Sequence, residues 1–315
     1  MAIARLLINR IAMSIPLLFV VSALTFVLLS LVPGDAARMI VGDLGTQAEY
    51  EAVRQQLGLN EPVYLQYWHW LSALMHGDLG ASLFTNEPVT RILNGRLAIS
   101  LSLITLGTLL SGVLGIGLGL LGALRGGWPA KLVDGLAMFG LAVPSFWIGL
   151  VLIAVFAVGL RLFPVIGYVP LTQSFSGWLH ALTLPVVALT LSTIAIIAKQ
   201  TRDSVLDTLS RDFIRVMQAN GFSGRSILFR HVLRNSSVSI ITVLGLVFIY
   251  MLTGALFVEV VFALPGIASL IQQATLQHDV PVIQGAVIYV TLFVVIVNLF
   301  VDLLYGLVDP RVRAR

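Results

Sequence analysis

The sequence predicts an all-α, polytopic membrane protein with six transmembrane helices, and three observations carry that prediction. Of 315 residues, 58% are hydrophobic and only 11% charged, where a soluble domain carries about a quarter charged. There is not enough polar side chain to cover a water-soluble surface, which excludes a soluble enzyme. Six apolar runs are each long enough to cross a hydrocarbon core of about 30 Å, which takes about 20 helical residues. None of the runs alternates with the period of two that barrel strands require. Cysteine is absent, so disulfides and thiolate metal sites play no part in the fold.

The first run, 11–32, follows Arg5 and Arg10. Its length, and its ending in Val32-Pro33-Gly34-Asp35 rather than a small-residue cleavage site, predict a retained span and not a cleaved signal. In the long loop 33–96, Thr46 and Glu49 have capping-box spacing and Gly58 is a helix stop. A second short helix is expected over 60–76, where Tyr64, Tyr67, Trp68, Leu71 and Leu74 recur at helical spacing and Gly77 ends it. Its aromatic stripe suits the lipid headgroup zone, and suits packing on neighbouring loops equally.

Span 97–124 carries Gly107, Ser111, Gly115 and Gly119 at every fourth position, a stripe that permits close helix contact. Spans 132–160 and 178–198 contain Pro144 and Pro185, either as bends lining a path or as plain packing kinks. Spans 236–262 and 282–308 follow the segment 199–235. No internal duplication is visible, so one domain over 1–315 is the simplest organisation.

Basic residues set the orientation, because Lys and Arg are held on the cytoplasmic side. With the N-terminus inside, 14 of the 19 basic residues fall inside, seven of them between Lys199 and Arg234. Both termini are therefore expected in the cytoplasm. Charge depth also separates kinds of transporter, since ion-coupled carriers place ionisable groups near the bilayer midplane. Here Glu259 falls near the outer end of its span, and Asp134 and Asp302 near inner ends. Asn298 and Asp302, four apart, suit bonds to neighbouring helices.

The segment 199–235 is long and patterned where membrane proteins usually have short basic turns. Ser210 is placed to cap a helix through Asn220, with Phe213, Ile214, Val216 and Met217 as its apolar face. Gly221 stops that helix, and Ser223 caps a second one, from Gly224 on, that continues into the fifth span. Two readings fit such an element: a helix lying flat on anionic lipid, or a helix presented to a groove on a soluble partner.

Arg215-Val216-Met217-Gln218-Ala219-Asn220-Gly221, followed by His231-Val232-Leu233-Arg234-Asn235, resembles the cytoplasmic signature loop of binding-protein-dependent ABC importer permeases of the dipeptide, oligopeptide and nickel group. The resemblance covers almost the whole chain. It includes Val32-Pro33-Gly34-Asp35, Gly77-Asp78-Leu79-Gly80 with Ser82, Asp279-Val280-Pro281, Val301-Asp302-Leu303-Leu304-Tyr305-Gly306 and Asp309-Pro310-Arg311. It implies that the loop is a coupling helix docked on a cytoplasmic ATPase, with Asp212, Arg215, Ala219 and Gly221 in or beside the contact and His231 and Arg234 following it. It implies a second homologous permease, two ABC ATPase subunits and an extracytoplasmic solute-binding protein as partners in a bacterial inner membrane. The implied cargo is a peptide or similar small solute; no cofactor, metal ion or nucleic acid is implied.

The remaining chemistry agrees with a transport subunit that hydrolyses nothing itself. A phosphate-cradling loop needs Lys after Gly, and neither Lys131 nor Lys199 follows a glycine. Gly221-Phe222-Ser223-Gly224 spells the Gly-x-Ser-Gly string of rhomboid-like proteases, but it sits in the basic loop, where a turn and an N-cap account for it. His69 and His76 share a helix face that a metal would fit, although an ordinary interfacial role fits them too. The competing class is a stand-alone secondary carrier or channel; an intramembrane hydrolase is the third.

Overall fold

The computed structural model describes residues 2–32, 34–42 and 44–308. Pro33 and the tail 309–315, which holds Asp309-Pro310-Arg311 and the basic residues Arg313 and Arg315, lie outside them. Among the described residues the chain is helical with no strand, and Ala81 and Pro88 form one isolated bridge.

Among the described residues, five helices are long and apolar enough to cross a membrane: Arg10–Leu31 (within Ala2–Leu31), Val89–Arg125, Phe175–Ser210, Gly224–Val261 and Val280–Leu304 (within Val280–Val308). The third apolar run is carried differently, by Gly127–Ala142 and the shorter apolar helix Ser145–Gly159. Pro144 separates them with extended backbone (φ −63°, ψ 141°), as expected where a ring removes the amide and bars the preceding residue from helical geometry. Pro185 has the opposite outcome. It lies buried inside the unbroken helix Phe175–Ser210, where tertiary packing outweighs the missing hydrogen bond.

That helix also runs twelve residues past the expected span end, through Ser210. The extension is polar and braced by i,i+4 ion pairs, Lys199 with Asp203 at 3.4 Å and Asp207 with Arg211 at 2.9 Å.

The described chain falls into two compact units. Among the described residues, one is built from 2–6, Ser100–Leu264 and 297–308. Helix Phe175–Ser210 is its centre, 78% buried over its most apolar stretch against 33% for Gly224–Val261. The four-residue stripe on Val89–Arg125 packs against it. A β-carbon at Gly115 would lie 2.7 Å from Ile197, and one at Gly119 would lie 2.7 Å from Thr201. Arg202 ties this helix to Gly127–Ala142 through Asp134 at 2.6 Å. Ser100 Oγ donates to the fully buried Glu259 at 2.6 Å, near the end of Gly224–Val261.

The other unit is Leu7–Ile99 with Pro265–Ile296. Three short helices follow the first span here. Ala36–Val41 begins under Asp35, whose carboxylate accepts from Ala37 N at 2.9 Å. Gln47–Gln56 has the expected capping box: Thr46 N donates to Glu49 at 2.8 Å and Glu49 N to Thr46 Oγ1 at 3.3 Å. Those bonds from the Thr46 backbone and hydroxyl hold the Glu49 carboxyl below its ordinary value of 4.5. Val63–Met75 is the aromatic helix. Its Tyr67 turns inward, edge-on to Phe19 and Phe26 and bonded to Ser22 at 2.9 Å, while Tyr64 and Trp68 stay exposed.

Helix Ile267–Gln277, which was not anticipated, buries Ile267, Leu270 and Ala274 against Leu79, Val89, Leu93 and Ile283. Its three-, four- and seven-residue apolar spacing after Pro265-Gly266 was the available signal. Asp279 joins the two sequence-remote parts, accepting from Ser82 Oγ at 2.6 Å and Leu83 N at 3.3 Å.

Candidate coupling site

The segment 199–235 folds as a helix end, a short helix, a turn and a helix start. Arg211, with extended backbone, separates Phe175–Ser210 from Asp212–Ala219. The short helix has no side-chain cap at Arg211, so the Ser210 cap expected from sequence is not made; Ser210 Oγ instead donates to Asp207 O at 2.8 Å within the preceding helix. Gly221 reverses the chain at φ +77°, a conformation open to glycine and costly for β-branched residues. A β-carbon there would meet nothing, so the constraint is backbone geometry alone. Ser223 then caps the next helix, accepting from Ser226 N at 3.3 Å; this is the work of an N-cap, not of a nucleophile.

The next helix starts with an unusual stretch. Ile227–Val232 is π-helical before α geometry resumes at Leu233. Bonding from i to i+5 places residues five apart on one face. Ile227 and Val232 are five apart, and both enter a buried apolar cluster with Val205 and Ile214. Asn235 Nδ2 donates to His231 O at 2.8 Å, satisfying a carbonyl at the stretch's end. Thr208, Ser204 and Ser236 form a short polar ladder beside it, with Ser236 Oγ donating to Ser204 O at 3.1 Å.

Asp212–Ala219 hangs on that cluster through Ile214, which is fully buried, while Met217 packs on its edge. The predicted apolar face is therefore split. Phe213 and Val216 are exposed, as is Phe222 just after the turn. Asp212 and Arg215 project into solvent, 94% and 74% exposed, and pair with each other at 3.5 Å. Ala219 and Gly221 are exposed on the same short segment. His231 is half-buried within the π stretch and Arg234 exposed just beyond it; among the described residues no hydrogen bond or ion pair joins either to the other four. A cleft lined by Leu124, Leu209, Gln218, Phe222, Ile227 and Leu228 opens beside the short helix.

Elsewhere, His69 pairs with Glu61 at 3.2 Å and His76 Nδ1 faces Ser72 O at 2.8 Å, so each has its own partner. Among the described residues no group of three His, Asp or Glu side chains is placed to hold a metal. The site thus offers an exposed peg, apolar and charged by turns.

Comparison with known proteins places this architecture. Residues 115–314 match the family described as binding-protein-dependent transport system inner membrane component, and residues 3–104 match the N-terminal model of the same kind. A protein of Brucella abortus (strain 2308) named as a peptide transport system permease is 40% identical over 98% of both chains. A protein of Sinorhizobium fredii (strain NBRC 101917 / NGR234) named as a probable peptide ABC transporter permease is also 40% identical, again over 98% of both. The glutathione transport system permease protein GsiC of Escherichia coli (strain K12) is 36% identical over 97% of this chain and 98% of its own. With both family models covering nearly its whole length and membrane-length helices to match, the chain belongs to the binding-protein-dependent transport system inner membrane components, multi-pass transport subunits of the inner membrane.

Proposed function

We propose that this chain is the transmembrane permease subunit of an ATP-driven importer of peptides or a similar small solute. Its relatives' names supply the cargo class. Its partners are a second, homologous permease, two ABC ATPases and an extracytoplasmic binding protein that meets a surface including the loop 33–96. The chain acts as one permease domain over 1–315, with both termini and the segment 199–235 in the cytoplasm. Asp212, Arg215, Ala219 and Gly221 form the ATPase contact, backed by His231 and Arg234.

One observation supports this most directly. An eight-residue helix, anchored by the buried Ile214 with Met217 against the same cluster and otherwise exposed, runs through one glycine turn into a membrane-length helix. Force applied to the peg by an ATPase passes through the turn into the span and shifts the balance between two states of the pathway.

Gly221→Val tests it. A left-handed backbone costs an ordinary residue about 1–2 kcal/mol, and a β-branched one at least that. The variant should insert and assemble normally, keep ATP hydrolysis, and lose transport by roughly tenfold. Transport at the normal rate in reconstituted vesicles would refute the turn's role.

A further inference from the structure

Helix Val63–Met75 carries three different stripes. Tyr67, Trp70 and Leu74, three and four apart, form the packed one. Tyr67 meets Phe19 and Phe26 edge-on and bonds Ser22, Trp70 stacks on Tyr67, and Leu74 packs against the buried cluster around Leu79. Tyr64, Trp68 and Met75 form the second, about a quarter-turn round the helix. It is left uncovered, at 70%, 58% and 71% exposure. About a quarter-turn further, Glu61, just ahead of the helix, joins His69, Ser72 and His76 in a polar stripe that only Leu65 interrupts. The surface turned away from the protein is therefore itself amphipathic.

The level at which this helix docks decides what covers its aromatic stripe. Ser22, which bonds Tyr67 at 2.9 Å, lies about 14 Å inside the end of the first span at Leu31. Ser22 O also accepts from Gln284 Nε2 at 3.3 Å, one turn into the last span. Beyond Ser22 the first span still exposes Leu24, Val27, Leu28 and Leu31, so its apolar surface continues past the docking level. A helix held there does not stand clear of lipid. Neither does it lie in hydrocarbon, because Glu61 and His69 pair at 3.2 Å with both side chains exposed, and ionisable groups are costly in a bilayer core. An aromatic stripe beside a polar one is satisfied at the interface, where Trp and Tyr are enriched.

We propose that helix Val63–Met75 lies in the membrane surface, seating Tyr64, Trp68 and Met75 among phospholipids at the Leu31 end of the first span and so fixing the depth of that span. The inference goes beyond transport and does not depend on it. The first span is only 11% buried over its most apolar stretch, so few protein contacts hold it against sliding along the bilayer normal. Tyr67 transmits the anchor, since it touches Phe19, Ser22 and Phe26 together.

Photocrosslinking of the assembled complex in native membranes tests this. The photoreactive residue p-benzoylphenylalanine, itself aromatic, replaces Tyr64, Trp68 or Met75 singly. Val20, exposed on the first span, and Val216, exposed on helix Asp212–Ala219, are replaced for comparison. After irradiation, adducts on this chain are read by mass. Positions 64, 68 and 75 should give phospholipid adducts as position 20 does, at a yield about tenfold above position 216. Adducts to protein alone would overturn the inference by showing the stripe packed on a second chain. Lipid yields no higher than at position 216 would overturn it by placing the helix in water.

Discussion

Ile214 is the single residue on which the exposed helix Asp212–Ala219 depends. A helix of eight residues has too few internal bonds to persist alone, and Ile214 is its one fully buried side chain. Removing a buried isoleucine's outer carbons costs about 2–5 kcal/mol. Ile214→Ala should therefore raise amide exchange across 212–219 by at least tenfold and depress transport, whereas Val216→Ala, at an exposed position, should leave exchange unchanged. Mass-resolved hydrogen exchange on the purified complex checks both. Sequence periodicity named Phe213, Ile214, Val216 and Met217 together as one apolar face. It identifies a face because spacing reflects helix geometry, but it does not tell an apolar residue packed within the chain from one left for a partner. Glu259 shows the same limit: its depth was readable from its position, but its complete burial and its bond to Ser100, 159 residues away, were not.

At the level of elements, local chemistry was legible and tertiary compromise was not. The Thr46–Glu49 box, the turns at Gly58, Gly77 and Gly221 and the Ser223 cap depend on neighbours within a few residues, and each forms as its spacing predicts. The two prolines have similar local signals and opposite results, because only Pro185 is buried in a packed helix centre. The π stretch Ile227–Val232 had no sequence signal, since i to i+5 bonding amounts to one residue inserted into an α-helix to satisfy distant packing. That suggests its use as a compliant joint between peg and span. Deleting the exposed Phe229 should restore α geometry, with Ile227 and Val232 then four apart and still on one face. The deletion should leave assembly and thermal midpoint nearly unchanged and lower transport about tenfold with ATP hydrolysis retained. Unchanged transport would reduce the π stretch to a packing detail.

For the whole molecule, composition alone settles the solvent: with 11% charged residues, lipid must cover most of the helices. The number of spans was less plain, because hydropathy counts apolar residues and does not register that Pro144 divides one run between two helices. The ordered string of short motifs along the chain pointed to the family that the comparisons show. Orientation remains a matter of charge bias, and it yields a sharp expectation. A green fluorescent protein fused after Arg315 should fluoresce in intact cells, and alkaline phosphatase fused there should be inactive; the reverse pattern would invert the topology.

The unit formed by Leu7–Ile99 and Pro265–Ile296 is assembled from two stretches of chain made far apart in time. At ribosomal speeds of about 5–20 residues per second, Ser82 waits on the order of 10 to 40 s for the Asp279 carboxylate that holds its loop. Through that interval Leu79, Val89 and Leu93 lack the apolar partners they later bury against. The newborn protein therefore relies on the insertion machinery or on lipid to shelter this half-built core, and it cannot mature in order from one end to the other.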